Sequence, residues 1–121
     1  MNSGDRLPVL LQRVSRAALE AHEMVGTCSR EQFRSNLILQ RAVGMTLIMA
    51  LDAAILVMQK APDFVDDHPE IPWAMMRGMR NRMAHGYIDI DLDRVYEAAR
   101  VDALELSRTI DAILDNHIQG E

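Results

Sequence analysis

Asn36-Leu37-Ile38-Leu39-Gln40-Arg41-Ala42-Val43-Gly44-Met45-Thr46-Leu47-Ile48-Met49-Ala50-Leu51-Asp52-Ala53-Ala54-Ile55-Leu56-Val57-Met58-Gln59-Lys60, residues 36–60, reads as one long helix that ends before Pro62. Proline has no N–H to give and restricts the residue before it, so a helix closes ahead of it. The middle of the stretch is apolar nearly all round. A membrane span needs roughly 20 apolar residues, but Gln40, Arg41 and Asp52 interrupt this one and leave a much shorter clean run. The pattern instead predicts a central bundle helix contacted on several sides, with a second copy of the chain as a candidate neighbour.

The flanks supply the neighbours. Leu7, Leu10, Leu11, Val14, Ala17, Ala18 and Val25 keep the three-four spacing of an amphipathic helix, with Pro8 expected in its first turn and Gly26 as its stop. Ser29 and Gln32 fit a capping box that opens a short helical segment through Phe33. Residues 61–71 read as a loop by composition. Pro72 suits the first turn of a helix that carries Trp73, Met75, Met76, Met79 and Met83 and stops near Gly86. Asp91 can cap the last helix, whose Leu92, Val95, Ala99, Ala103, Leu106, Ile110, Ile113 and Leu114 form a steady stripe. The expected fold is all-α: one domain over residues 1–121, an up-and-down bundle of four main helices plus a short one.

Composition agrees. Of 121 residues 49% are apolar but only 4% aromatic, with nine Met, a palette that favours helix over strand. The single Cys28 can neither close an internal disulfide nor hold zinc alone. No secretory leader is read at the N-terminus, so the expected compartment is the cytoplasm. A net charge of −5 argues against a general nucleic-acid coat. Yet the basic side is unusual in kind, because Lys60 is the one lysine among 13 basic residues and the rest are Arg. The guanidinium is a planar, permanent fork for phosphate or carboxylate, so a local anion site stays open.

That site is expected in Met76-Arg77-Gly78-Met79-Arg80-Asn81-Arg82-Met83-Ala84-His85-Gly86-Tyr87, the one concentrated positive patch. Asn81 and His85 are four apart and share a helix face. Arg80 and His85 are five apart, which separates them by roughly 140° on an unbroken helix. They can converge if the helix frays or ends at His85, which Gly86 suits because it can take the left-handed conformation that closes a helix, and the long Arg side chain can also reach around. Such a set can cleave RNA without a metal. His85 can move the ribose 2′-hydroxyl proton or protonate the leaving oxygen, since an unperturbed imidazole titrates at about 6.5. Arg80 can hold the phosphate and its developing charge. Asn81 can orient either.

Arg80-x-x-x-x-His85-x-Tyr87 resembles the R-x-x-x-x-H-x-Y motif of HepT-like proteins in the HEPN superfamily. The flanks are similar too: Ile71-Pro72-Trp73, Gly78-Met79-Arg80-Asn81 and Ala84-His85-Gly86-Tyr87 resemble the family's C-terminal half, and Gln40-Arg41-Ala42-Val43 through Ala53 its central helix. There the usual Ile-Gly-Glu-Ala is replaced by Ala50-Leu51-Asp52-Ala53. The resemblance implies the toxin of a toxin–antitoxin pair: a metal-independent endoribonuclease without cofactor, acting on RNA as a homodimer whose two motifs face one cleft. It further implies an MntA-like nucleotidyltransferase antitoxin that adds AMP to Tyr87. Bulk and negative charge there would repel an RNA phosphate. Arg80 and His85 are carried over as catalytic, Asn81 as supporting and Tyr87 as the modified residue or a substrate contact.

Each residue also has a plainer reading. Arg80 could be a salt-bridge partner of Asp52, itself a core acid that needs a cation. Arg77 and Arg82 could meet RNA backbone or antitoxin, or merely solvate the helix. Tyr87 could pack on the last helix. His22, His68 and His117 show no ligand spacing with Cys28, and Asp89, Asp91 and Asp93 lack the glycine and glutamate of a calcium loop. Two rival functions follow: a non-catalytic HEPN module that binds nucleotide or serves as an adaptor for a nucleotidyltransferase, and a helical dimerisation protein.

Overall fold

Local capping sets most helix boundaries. The computed structural model describes residues 3–86 and 91–119, with side chains over 6–86 and 91–116. Helix α1 spans Ser3–Val25, and Gly26 closes it at φ 54°. Ser29 and Gln32 form the expected capping box at the head of α2, Arg30–Arg34. Asn36 caps α3, Leu37–Lys60, by accepting from the Leu39 N–H at 3.0 Å. After α4 (Pro62–Asp67) and α5 (Trp73–Gly86), Asp91 accepts from the N–H groups of Asp93 and Arg94 to open α6, Leu92–Glu97. A π turn, Ala98–Asp102, joins α6 to α7, Ala103–Gln119, without a break.

The fold is all-α among the described residues, as expected, with three corrections of detail. The stretch read as a loop contains α4, so two short helices accompany the four main ones. Pro62 and Asp63 suit its first turn, and Phe64 packs its ring 4.4 Å from His68 and 6.2 Å from Trp73. Pro8 is not in the first turn, because α1 already begins at Ser3. The last helix is not uniform: in its π turn the Ala103 N–H reaches back to the Ala98 carbonyl, five residues away.

α3 is the axis of the packing. It lies against α1 and α5, while α7 closes on the other side of α1. Val43, Ala54 and Val57 of α3 are fully buried, with Val14, Ala21, Phe33, Val95 and Ile110 from the surrounding helices. By length and composition α3 could cross a membrane, yet 56% of its most apolar window is buried within the fold. It is a core helix here. Gln40 shows how a polar interruption is accommodated: its amide donates to the carbonyls of Phe33 and Arg34, both at 2.9 Å, and ties α2 to α3. Arg30–Glu97 and Arg34–Asp93 ion pairs then hold α2 to α6. Between α1 and α7, Ser15 Oγ lies 2.9 Å from Ser107 Oγ and donates to Asp111 at 2.6 Å.

One face of α3 is left uncovered. Ile38, Met45, Met49 and Leu56 remain 83, 59, 55 and 37% exposed. Their spacing of seven, four and seven residues puts them on a single line along the helix.

Candidate active site

α5 carries the positive patch because its apolar residues face inward. Trp73, Met76, Met79 and Met83 are buried, while Met75 is exposed. That orientation leaves Arg77, Asn81, Arg82 and His85 on the outer surface, with Arg80 half-buried at the edge. No Asp or Glu occurs between Trp73 and Gly86, so the helix presents three guanidinium groups without an internal counter-charge.

Arg80 finds its counter-charge on α3. Its Nε donates to Asp52 Oδ1 at 2.7 Å, and both side chains keep a third to a half of their surface in solvent. Asp52 is therefore paired with an arginine, as the plainer reading has it, but it is not a core acid. It sits three residues beyond Met49 and four before Leu56, on the border of the uncovered line of α3. Among the described residues the two terminal nitrogens of Arg80 have no other partner, so they remain available to an anion.

His85 is fixed by its own helix. Its Nδ1 lies 2.8 Å from the Asn81 carbonyl. A carbonyl only accepts, so Nδ1 carries hydrogen and the neutral ring has its lone pair on Nε2. Asn81 thus orients the imidazole through its backbone. Its side-chain amide is exposed and takes no part in that bond.

Arg80 and His85 are held by different partners, Asp52 and the Asn81 carbonyl. α5 stays helical through Gly86, and among the described residues only Gly26 has positive φ. The expected left-handed closure at Gly86 is absent. On the continuous helix the two residues diverge by roughly 140° and stand about 7.5 Å apart along the axis. Only the reach of the side chains, or a second copy of the site, can bring both groups to one phosphate.

The other expected residues are placed as follows. Arg77 Nη2 rests 3.2 Å from the Met58 sulfur. Arg82 lies back over Gly78, where an added Cβ would stand 3.4 Å from its Nη1. Neither has a carboxylate partner among the described residues. Tyr87 and Asp89 lie outside the described residues. His68 pairs with Glu70 at 3.0 Å, and His22 Nδ1 donates to the Arg100 carbonyl in the π turn at 2.8 Å. Among the described residues no three His, Cys, Asp or Glu side chains gather as a metal ligand set. The sequence already points to Asp52 as a partner of Arg80, since a lone acid in an apolar helix is itself a sign of one; only its exposure differs from the core position expected.

Comparison with known proteins agrees with the family resemblance. The profile of the family described as ribonuclease HepT-like matches residues 14–113. The "Probable ribonuclease HepT" of Thermococcus cleftensis is 29% identical over 84 residues, covering 69% of this chain and 76% of that protein. The "Putative RNase MJ1216" of Methanocaldococcus jannaschii is 26% identical over 92 residues, covering 75% of this chain and 72% of that one. No solved structure matches the chain. A profile match across most of the sequence, with Arg80, His85 and the capped central helix inside it, shows that this chain belongs to the HepT-like ribonuclease family.

Proposed function

We propose that the chain is the ribonuclease toxin of a toxin–antitoxin pair, cutting RNA without a metal through Arg80 and His85. The observation that carries the reading is the pair of fixed groups on α5: an imidazole whose Nδ1 is occupied by a carbonyl and a guanidinium anchored through Nε alone. Each leaves its working nitrogen unoccupied.

In this mechanism His85 Nε2 takes the proton of a ribose 2′-hydroxyl, and the 2′ oxygen attacks the adjacent phosphorus. The bond from phosphorus to the 5′ oxygen breaks, and that oxygen is protonated by a second, protonated imidazole. The products are a 2′,3′-cyclic phosphate and a 5′-hydroxyl. Arg80 neutralises charge on the non-bridging oxygens as it builds. Arg77, Arg82 and the Asn81 side chain extend the surface along the RNA backbone.

A homodimer supplies the second imidazole. The uncovered line Ile38, Met45, Met49 and Leu56 is apolar, runs the length of α3 and borders Asp52. Two copies paired along it bring both Arg80–Asp52 pairs beside one two-fold axis and add their positive fields. The antitoxin in this reading is a nucleotidyltransferase that adds AMP to Tyr87. The test is cleavage of a labelled RNA in chelator by the wild-type chain and by folded Arg80→Ala and His85→Ala. Cleavage that persists in chelator and is lost in both variants is expected. Chelator-sensitive cleavage, or full activity in both variants, overturns the mechanism. Intact mass after co-expression with the neighbouring nucleotidyltransferase gene, where one is found, reads the modification.

The divergence of Arg80 and His85 on one helix favours a second reading, a non-catalytic module that binds nucleotide or docks a nucleotidyltransferase. Saturable AMP binding with no cleavage of any RNA would select it.

A further inference from the structure

α5 takes its main support from α3. A slot of about 250 Å³ remains between α5, α3 and the α6–π–α7 helix. Leu51 of α3, Met75 and Met79 of α5, and Leu106 of α7 form much of its wall. Alanines make the room: Ala50, Ala98 and Ala103 face the slot where longer side chains would fill it. The rim is charged and lopsided, with the carboxylates of Glu70, Asp102 and Glu105 against the single guanidinium of Arg94.

Arg94 is already committed, since its Nη1 donates to Asp102 at 2.9 Å. Glu70 bonds to His68, which holds its carboxyl below the usual range and hence ionised. Glu105 is exposed and has no partner among the described residues. The rim therefore repels phosphate and attracts a cation, the opposite of the outer face of α5. The slot also lies away from the uncovered face of α3, since Leu47, Ala50 and Leu51 point to the other side of that helix from Met45 and Met49.

We propose that this slot is a binding site for an alkyl amine, its chain lying against Met75, Met79, Leu51 and Leu106 and its ammonium held at the Glu70 and Glu105 rim. An open slot of this size with an apolar wall admits a short alkyl chain. Apolar walls with a few charged groups at the mouth are the usual make-up of a small-molecule site. The assignment does not rest on the ribonuclease reading.

Calorimetric titration of the full chain with octylammonium chloride tests it, with sodium octanoate as the same tail bearing the opposite charge. The expected result is one saturable site, with octylammonium bound about tenfold more tightly than octanoate at low salt. Ala98→Leu fills the slot and should abolish binding while the helical circular dichroism spectrum is kept. The double variant Glu70→Gln/Glu105→Gln leaves the core untouched and should weaken octylammonium about fivefold. Equal affinity for the two surfactants, non-saturable uptake, binding retained in folded Ala98→Leu, or unchanged affinity in the double variant would each overturn the proposal. Should Ala98→Leu not fold, the double variant and the head-group comparison decide alone.

Discussion

Asp52 and Arg80, 28 positions apart in sequence, join α3 to α5 through one bond of 2.7 Å from Arg80 Nε. A guanidinium held at Nε keeps its plane fixed and its two terminal nitrogens turned elsewhere. The pair is half in solvent, so its worth to stability is at most about 1 kcal/mol. Its value is orientation. Asp52→Ala should therefore leave the melting temperature nearly unchanged and lower kcat on RNA about tenfold, through a mobile Arg80. KM should fall slightly, because a negative charge has been removed beside the positive face. Steady-state kinetics on a short RNA check this split. A rise in KM with kcat unchanged would contradict it.

Asn81 separates a backbone role from a side-chain role. The His85 ring is held by the Asn81 carbonyl, which any residue supplies. Asn81→Ala should keep the Nδ1–H tautomer, read from the ring nitrogen shifts by NMR. Cleavage should stay within about threefold of wild type, the loss of one exposed neutral hydrogen bond. A loss comparable with His85→Ala would place the amide at the reacting atoms rather than along the RNA backbone.

The uncovered line of α3 predicts the effect of charge on assembly. Met45→Glu with Met49→Glu places two carboxylates near their own images across the proposed two-fold interface, where like charges and lost apolar burial both oppose pairing. Sedimentation should show the wild-type chain as a dimer and the variant as a folded monomer with little ribonuclease activity. A wild-type monomer at working concentration would remove the second imidazole from the mechanism.

Acid should loosen α2 before it unfolds the core. Hydrogen bonding from Arg34 holds the Asp93 carboxyl below its ordinary range. A carboxyl depressed on folding stabilises the folded state above its unfolded value of about 3.9, and that contribution disappears as pH falls through the lower folded value. Arg34 is shifted upward by the same bond, so its side of the pair changes only at strongly alkaline pH. Hydrogen exchange at the α2 amides should accelerate as pH is lowered through the acid range in the wild type, beyond the intrinsic pH dependence. Asp93→Asn should show faster exchange at neutral pH and no such extra acceleration.

The parts of the fold legible in sequence were those with a local chemical cause. Asp91 and the Ser29–Gln32 box announce helix starts because their side chains satisfy amides within the next turn. The three-four stripes of α1 and α7 are read in the same way. α4 was not legible, because Pro62–Asp67 covers fewer than two turns and carries only Phe64 and Val65 as large apolar residues, too few to repeat a stripe. The π turn was hidden for a different reason: its Ala98 and Ala99, with Ala103 just beyond it, fit a stripe in either register. At the candidate site, the spacing from Arg80 to His85 could be read directly, and Asp52 could be suspected as a partner. The continuation of helix through Gly86 could not, since glycine permits both closure and extension. The exposure of Asp52 depended on which face of α3 the other helices leave bare, a property of the assembled bundle.

The π turn acts as a gear with one extra tooth. Residues ahead of it, Val95 and Tyr96, are buried, the Tyr96 ring tilted against Phe33 of α2, while Ser107 and Ile110 beyond it are buried and Ser107 meets Ser15 of α1. The wider turn takes up one residue more than an ordinary turn, so the residues downstream keep their facing. Without that widening the extra residue would rotate everything downstream by about 100°, and Ser107 would face away from Ser15. Natural variation by one residue should thus be tolerated inside this turn, as a return to an ordinary helix, and refused in the regular turns of α7.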